Sequence, residues 1–315
     1  MALGLALGLA LAGCARDSSA DLATGQERFH FERPVTGQAF AIPELSLEMR
    51  AIPAGVFRMG SDYAEPGHTP AESPPTTVGI SRPFWLGATP VTHGQWRALM
   101  GMDLSDQAQK AFGGANELTQ RLGAVDADVA MYFVSWQDAM EFCARANARA
   151  RAADLLPAGY EFTLPTEAQW EYACRAGTTG ATYAPNLDAI AWYAGNSSVN
   201  YDGPPWNALS LGAKSGPSVR SGPHQVGLKE PNAWGLYDML GNVYQWCRDF
   251  PVTTLPGGSV TDPAGTKTGS DRVVRGGSWH SDAARCRAAY RAWSSPDSRV
   301  PFIGFRLALA PIQPR

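Results

Sequence analysis

Apolar residues recur at helical spacing in three places along the chain, and each run opens on a capping signal. Thr92 is followed three residues later by Gln95; Trp96, Leu99 and Met100 then share one face before Gly101. Ser135 and Asp138 open a second run, in which Ala139, Phe142, Cys143 and Ala146 fall on one side. Thr166 and Gln169 open a third, with Trp170, Ala173 and Cys174 inward and Gly177 as the stop. Ahead of these helices the pattern is strand-like. Residues 49–60 read as two short strands punctuated by Pro53 and Gly55, and residues 78–86 as another. Residues 103–128 are polar and weakly patterned, which predicts an insertion with a helix over 115–122. Beyond Gly177, turn residues and isolated aromatics take over (Trp192, Tyr193, Trp206, Trp234, Tyr237, Tyr244, Trp246), and residues 196–223 read as a long Ser/Gly/Pro-rich loop. Helices followed by short strands and long loops predict a mixed α+β domain.

Composition sharpens this picture. Of 315 residues, 44% are hydrophobic and only 17% charged, so the body can bury a sizeable core. Gly 33 and Pro 24 favour a loop-rich fold over a helical bundle. A net charge of −3 gives no electrostatic footprint for nucleic acid.

The N-terminus has a different character. Residues 1–12 are apolar throughout and lead into Leu11-Ala12-Gly13-Cys14. The run is too short to span a bilayer and reads as an export signal. Its end matches a bacterial lipobox, which implies a lipid on Cys14 and attachment to a membrane surface. No Lys or Arg precedes the run, so the usual basic lead-in is missing. Residues 15–48, with Arg16-Asp17-Ser18-Ser19 and scattered prolines, read as a flexible tether. The expected organisation is therefore a signal over 1–14, a tether over 15–48 and a domain over 49–311. With Cys14 lipidated, Cys143, Cys174, Cys247 and Cys286 remain. In an oxidising compartment they allow two disulfides in three connectivities, the alternative being free buried thiols.

A family likeness is carried by six blocks in order. The first three are Ile52-Pro53-Ala54-Gly55-Val56-Phe57-Arg58-Met59-Gly60-Ser61, Thr89-Pro90-Val91-Thr92-His93-Gly94-Gln95-Trp96 and Val134-Ser135-Trp136-Gln137-Asp138-Ala139. The fourth begins Leu164-Pro165-Thr166-Glu167 and runs to Gly177; the fifth runs from Asn232-Ala233-Trp234-Gly235 through Gly241-Asn242 to Cys247. The sixth joins Arg275-Gly276-Gly277-Ser278-Trp279 to Ile303-Gly304-Phe305-Arg306. Together they resemble the formylglycine-generating-enzyme, or sulfatase-modifying-factor, domain family. The resemblance implies a C-type-lectin-like fold, low in regular secondary structure.

It also implies a chemistry. The family's founding activity oxidises a sulfatase cysteine to formylglycine with oxygen, at copper held by two cysteines five residues apart just after the Gly-Gly-Ser motif. Soft Cu(I) suits two thiolates. Counting forward from Gly276 past Ser278, the pair falls on Ser281 and Cys286. Counting back from Gly304-Phe305-Arg306, the chain is about three residues short and Cys286 leaves the second position. Either way at most one thiol of the pair remains, and a serine hydroxyl cannot stand in for a thiolate. Copper is therefore not expected at Ser278, Ser281 and Cys286.

The resemblance implies two further features. A calcium site would use Asp238, Gly241, Val243 and Gln245, weakened because Gln245 stands where the family has Glu; the alternative is a tight turn in which Asp238 caps backbone amides. A disulfide would join the Cys174 helix position to Cys286, leaving Cys143 and Cys247 to pair. His93, His224 and His280 lack metal-ligand spacing, and Glu167 near a helix start reads as an electrostatic match to the helix rather than one of a catalytic pair with Glu171.

Residues 280–302 invite a binding role. His280, Asp282, Arg285, Tyr290, Trp293 and Phe302 mix aromatic area with adaptable polar groups. The resemblance also implies that this scaffold can serve as a display surface, as in the family's variable proteins, several of which are lipoproteins. The expectation is a divergent, exported member that binds a protein or surface ligand. The alternatives are a working oxidase of the formylglycine-generating type and a scaffold of an envelope complex.

Overall fold

The computed structural model describes residues 28–122, 125–198 and 221–312. Cys14, the export signal, the first part of the tether and Trp206 lie outside the described residues. The strands are β1 (Phe40–Ile42), β2 (Leu47–Ile52), β3 (Gly55–Met59), β4 (Thr76–Ile80), β5 (Phe84–Gly87), β6 (Tyr160–Thr163), β7 (Ala191–Trp192), β8 (Leu240–Gly241), β9 (Tyr244–Trp246), β10 (Ser259–Thr261), β11 (Arg272–Arg275), β12 (Arg291–Ser294), β13 (Ile303–Phe305) and β14 (Ala308–Pro311). The helices are α1 (His93–Met100), α2 (Leu104–Phe112), α3 (Glu117–Arg121), α4 (Trp136–Ala152), α5 (Glu167–Arg175) and α6 (Leu187–Ile190).

The three capping signals hold as capping boxes. Gln95 N donates to Thr92 Oγ1 at 3.3 Å while Thr92 N donates to Gln95 Oε1 at 3.1 Å. Ser135 with Asp138 and Thr166 with Gln169 do the same. Each box satisfies amides that a helix start would otherwise leave unpaired. Trp96 of α1 stacks on Phe142 of α4 at 5.8 Å, and both rings meet Phe305 of β13 edge-on. The two helices are thereby packed against the strand that ends the site region.

Two sheets position the site. The five-stranded sheet runs β1-β2-β5-β14-β6, so β14 is inserted between β5 and β6. The four-stranded sheet runs β12-β11-β9-β13. In it, Arg275 of β11 faces Arg291 of β12, so residues 276–290 leave the sheet and return to it as one excursion.

That excursion is anchored by ions buried with their partners. Arg291 donates to both carboxylate oxygens of Glu167, at 2.6 and 2.7 Å. Arg275 is bonded to Glu171 and lies 3.3 Å from Glu167; Arg175 donates to Glu171 at 2.9 Å. Arg287 forks onto Glu72 at 2.7 and 2.9 Å. Burial alone would raise the Glu167 pKa, but Arg291 and Arg275 outweigh it and hold the carboxyl below its ordinary value. Glu167 and Glu171 are thus structural anchors between α5 and the strands, not a catalytic pair.

Four expectations need correction. The ordered body begins before residue 49: Phe29 is buried and β1 pairs with β2, so the tether cannot extend to 48. Residues 78–86 are two strands because Pro83 cannot continue the ladder of β4. The insertion holds a second helix, α2, which Asp103 and Asp106 cap reciprocally. Helix α5 ends with Ala176 itself in the left-handed conformation, one residue before Gly177.

Candidate functional site

The excursion begins with a turn only glycine can make. Gly276 and Gly277 have φ of +98° and +73°. A β-carbon on Gly276 would lie 2.7 Å from the Met239 carbonyl, and one on Gly277 would lie 2.7 Å from Cys286 Sγ. The double glycine therefore lets the turn close over the Cys286 sulfur.

Beyond the turn the side chains lock to one another. Ser278 N donates to Ser281 Oγ at 3.1 Å, the two Oγ atoms are 3.2 Å apart, and Ser281 Oγ donates to the Tyr244 hydroxyl at 3.3 Å. Ser278, Ser281 and Cys286 are all buried. Desolvation pushes the Cys286 thiol up to about 12, with Asp282 adding to it and backbone groups of Ser278 and Gly241 opposing. Such a sulfur is protonated at neutral pH and is a poor nucleophile. Burial likewise raises the Tyr244 phenol.

Asn242 organises the adjoining wall. Its amide donates to the Trp192 carbonyl at 2.8 Å, and its own carbonyl accepts from Trp279 N at 2.8 Å. Its side chain accepts from His224 N at 3.0 Å and donates to the His224 carbonyl at 3.2 Å. The His224 ring stacks on Trp192 at 3.8 Å, and Lys229 Nζ lies 3.8 Å from the same indole. Burial, with Lys229 nearby, lowers the His224 pKa to about 4, so the ring is neutral. On the other side, His280 stacks on Phe302 at 5.8 Å and meets Trp279 edge-on. Burial also lowers the His280 pKa.

The predicted residues are therefore partly assembled. Ser278, Ser281 and Cys286 come together, and His280 joins Phe302 beside them. Asp282 and Arg285 are exposed on the next turn, 3.7 Å apart. Tyr290 is half-buried, with the Arg287 guanidinium 5.9 Å from its ring. Trp293 lies on the edge strand β12, 43% exposed and in register with Val273 of β11. The sequence reading missed Asn242, Lys229 and the joint role of Trp192, His224 and Tyr244. Only the Gly241-Asn242 step inside the fifth block hinted at them.

The copper fit fails on geometry. Ser281, where the forward count puts one thiolate of the pair, has its hydroxyl committed to Ser278 and Tyr244. One protonated thiol and one bound hydroxyl do not make a Cu(I) site. The disulfide expectation also fails: Cys143, Cys174, Cys247 and Cys286 are all free and buried. Cys143 belongs to the core around α4, whereas Cys174 and Cys247 belong to the separate core around α5. Cys286 packs against Gly277 instead of Cys174.

Of the calcium positions, Asp238 and Gln245 are joined in a protein hydrogen-bond network. Asp238 Oδ2 accepts from Gly227 N at 2.7 Å, and Asp238 is fully buried. The Gln245 oxygen accepts from Trp170 Nε1 at 2.9 Å and Arg306 Nε at 3.0 Å, while its nitrogen donates to the Asp238 carbonyl at 2.7 Å. The Gln245 side chain is spent on an indole, a guanidinium and a backbone carbonyl, and it carries no charge, so this pair is a poor match to the oxygen-rich, carboxylate set calcium takes. Among the described residues, no group of three His, Cys, Asp or Glu is placed to hold a metal ion.

Comparison with known proteins places this geometry. The Sulfatase-modifying factor enzyme 1-like domain model matches residues 40–311. The chain is 29% identical to the formylglycine-generating enzyme of Streptomyces coelicolor, over 82% of this chain and 87% of that one. It is 28% identical to hercynine oxygenase of Mycolicibacterium smegmatis, over 82% of this chain and 60% of that one. Among solved structures, Treponema denticola variable protein 1 superposes with a TM-score of 0.66 at 28% identity, covering 87% of this chain and 99% of that one.

Proposed function

The chain belongs to the sulfatase-modifying factor enzyme 1-like domain family, and we propose that it is a divergent, non-oxidase member that binds a protein or surface ligand outside the cytoplasm, held to a membrane by a lipid on Cys14. The observation that supports the reading is that Ser281, on which the forward count of the family's copper pair falls, has its hydroxyl bound to Ser278 and Tyr244, while Cys286 is buried with its thiol pushed up to about 12. The contact surface in this reading is the His280–Phe302 pair with exposed Asp282 and Arg285 beside it. Stacked rings give contact area at low entropy cost, and the charged pair gives adaptable hydrogen bonds.

The test of the first half is an activity assay. The purified soluble domain is incubated with copper, oxygen and a Cys-x-Pro-x-Arg peptide, and the peptide is weighed by mass spectrometry. The expected result is an unchanged peptide; aldehyde formation overturns the proposal. Sequencing the locus across related isolates tests the second half. Substitutions concentrated in residues 279–303 support a binding segment, and even variation over the whole domain sinks it. Metabolic labelling with palmitate tests the anchor: label should appear on the full chain and vanish with Cys14→Ala.

A second reading, a protein-modifying oxidase, draws on the 29% identity to the Streptomyces coelicolor enzyme over most of both chains. The same peptide assay separates the two.

A further inference from the structure

On another part of the molecule, a cavity of about 200 Å³ opens between α5, β4 and the loop after β9. Its walls are largely apolar, formed by Met59, Val78, Ala168, Val252, Leu255 and Val260. Asp249 also lines it, with only 3% of its surface exposed. One carboxylate oxygen, Oδ2, accepts from Glu167 N at 2.9 Å. Among the described residues no arginine or lysine pairs with Asp249. Glu167 lines the cavity too, but Arg291 and Arg275 hold its carboxylate.

The roof is preformed. Leu255 N donates to the Ser73 carbonyl, Gly257 N to Thr76 Oγ1, and Thr77 N to the Gly258 carbonyl. Strand β10 pairs with β4, and Phe250 bridges Thr266. Gly265, with φ +70°, lets the returning loop press on Asp249: a β-carbon there would lie 3.0 Å from Asp249 Cβ. The cavity is thus held open by hydrogen bonds on both flanks, which limits the ordering cost of filling it.

We propose that this cavity is a binding site for a small organic cation, a protonated amine on an aliphatic or aromatic body, whose ammonium pairs with the Asp249 carboxylate. An apolar pocket with a single convergent carboxylate suits that ligand: the body replaces water on the walls and the head meets the one acid without its own cation. The charge environment supports it. Burial pushes the Asp249 carboxyl up to about 7 and the Glu167 charge adds to the rise, while the hydrogen bond from Glu167 N, then Arg248 and Arg291, only partly oppose it. Arg272 senses the same carboxylate, while Cys247 beside it is pushed up by burial. An entering cation favours the ionised acid and releases a proton near neutral pH.

The experiment compares three probes of one chain length on the folded domain at pH 8 by isothermal titration: hexylammonium, hexanol and hexanoate. Hexylammonium should bind about tenfold or more tighter than hexanol, the size of one added charge-assisted contact, and hexanoate should not bind. Affinity for hexylammonium should fall as the pH is lowered to 6, as Asp249 takes up its proton. Asp249→Asn keeps an oxygen for Glu167 N and should lose the preference for the cation; Val260→Phe should fill the cavity and abolish binding of all three. Equal binding of hexanol and hexylammonium overturns the proposal. So does preference retained in Asp249→Asn, or no binding of hexylammonium to a wild-type protein whose fold is verified by circular dichroism.

Discussion

A β-carbon on Gly277 would lie 2.7 Å from the sulfur of Cys286, and Gly277 has φ of +73°. Two independent costs therefore fall on Gly277→Ala: a left-handed alanine and a contact that must open the turn. Together they should destabilise the fold by about 2–4 kcal/mol. The contact component belongs to the sulfur. Cys286→Ala in the same chain should restore part of the loss, while the backbone component remains. Urea unfolding of the two single variants and the double variant checks this; purely additive losses would mean that the sulfur does not set the turn.

Arg291 and Glu167 give a larger effect. Their two bonds are buried, and without Arg291 the Glu167 carboxylate keeps only the 3.3 Å contact to Arg275. Arg291→Ala should cost about 3–5 kcal/mol. The pair also sets a pH dependence. The Glu167 pKa is lowered in the fold, so its contribution is present above the unfolded carboxyl pKa and lost as pH falls through the folded value. The wild type should thus lose more stability than Arg291→Ala on acidification, measured by denaturant midpoints along a pH series.

Asp249 runs the other way. Its folded pKa is raised to about 7, so the folded state holds a proton that the unfolded state has already released. Between about pH 4 and pH 7 this group lowers stability as pH rises, by up to about 1.4 kcal/mol per unit. Asp249→Asn cannot titrate and should gain on the wild type over that range, then run parallel to it above pH 8. Thermal melts of both proteins at matched pH decide; curves parallel from pH 4 to 8 would contradict a raised carboxyl.

How much of this was legible beforehand depends on the range of the interaction. The capping pairs Thr92–Gln95, Ser135–Asp138 and Thr166–Gln169 are local, three residues apart, so the helices could be read directly. Asp103–Asp106 follows the same rule, and Leu104, Ala108, Ala111 and Phe112 share one face, so α2 was legible too, hidden only by the polar character of residues 103–128 as a whole. The Gly-Gly-Ser motif marks where the excursion over 276–290 begins, but the binding segment read from the sequence, 280–302, runs on through β12. Its anchors were not legible, because Arg291 and Glu167 are brought together only by the pairing of β11 with β12. Asn242 was hidden for the same reason: its partners at 192, 224 and 279 meet only in the folded chain. The disulfide expectation failed because family position stood in for distance, and the Cys286 sulfur faces Gly277.

Gln245 makes calcium binding a testable absence. Its nitrogen donates to the Asp238 carbonyl, and its oxygen accepts from Trp170 and Arg306. Added calcium or chelator should leave the melting temperature of the wild type unchanged. Gln245→Glu removes the donor and sets a carboxylate against the Asp238 carbonyl, at a cost of about 1–3 kcal/mol. The Arg306 guanidinium and the Trp170 N–H still face the new carboxylate, so calcium should not stabilise the variant either. A wild-type melting temperature that rises with calcium would contradict this network.

The four buried cysteines give the last expectation. All are free, and burial raises the thiol pKa of each. A thiolate reagent needs both access and ionisation, and the folded domain offers neither. The soluble domain from residue 28 onward, purified without reductant, should therefore react negligibly when folded. After denaturation it should titrate as Cys143, Cys174, Cys247 and Cys286 in full. Two missing thiols after denaturation would mean that one disulfide forms in the oxidised protein. Peptide mapping would then identify the pair, and a Cys174–Cys286 link would require the sulfur to leave its seat against Gly277.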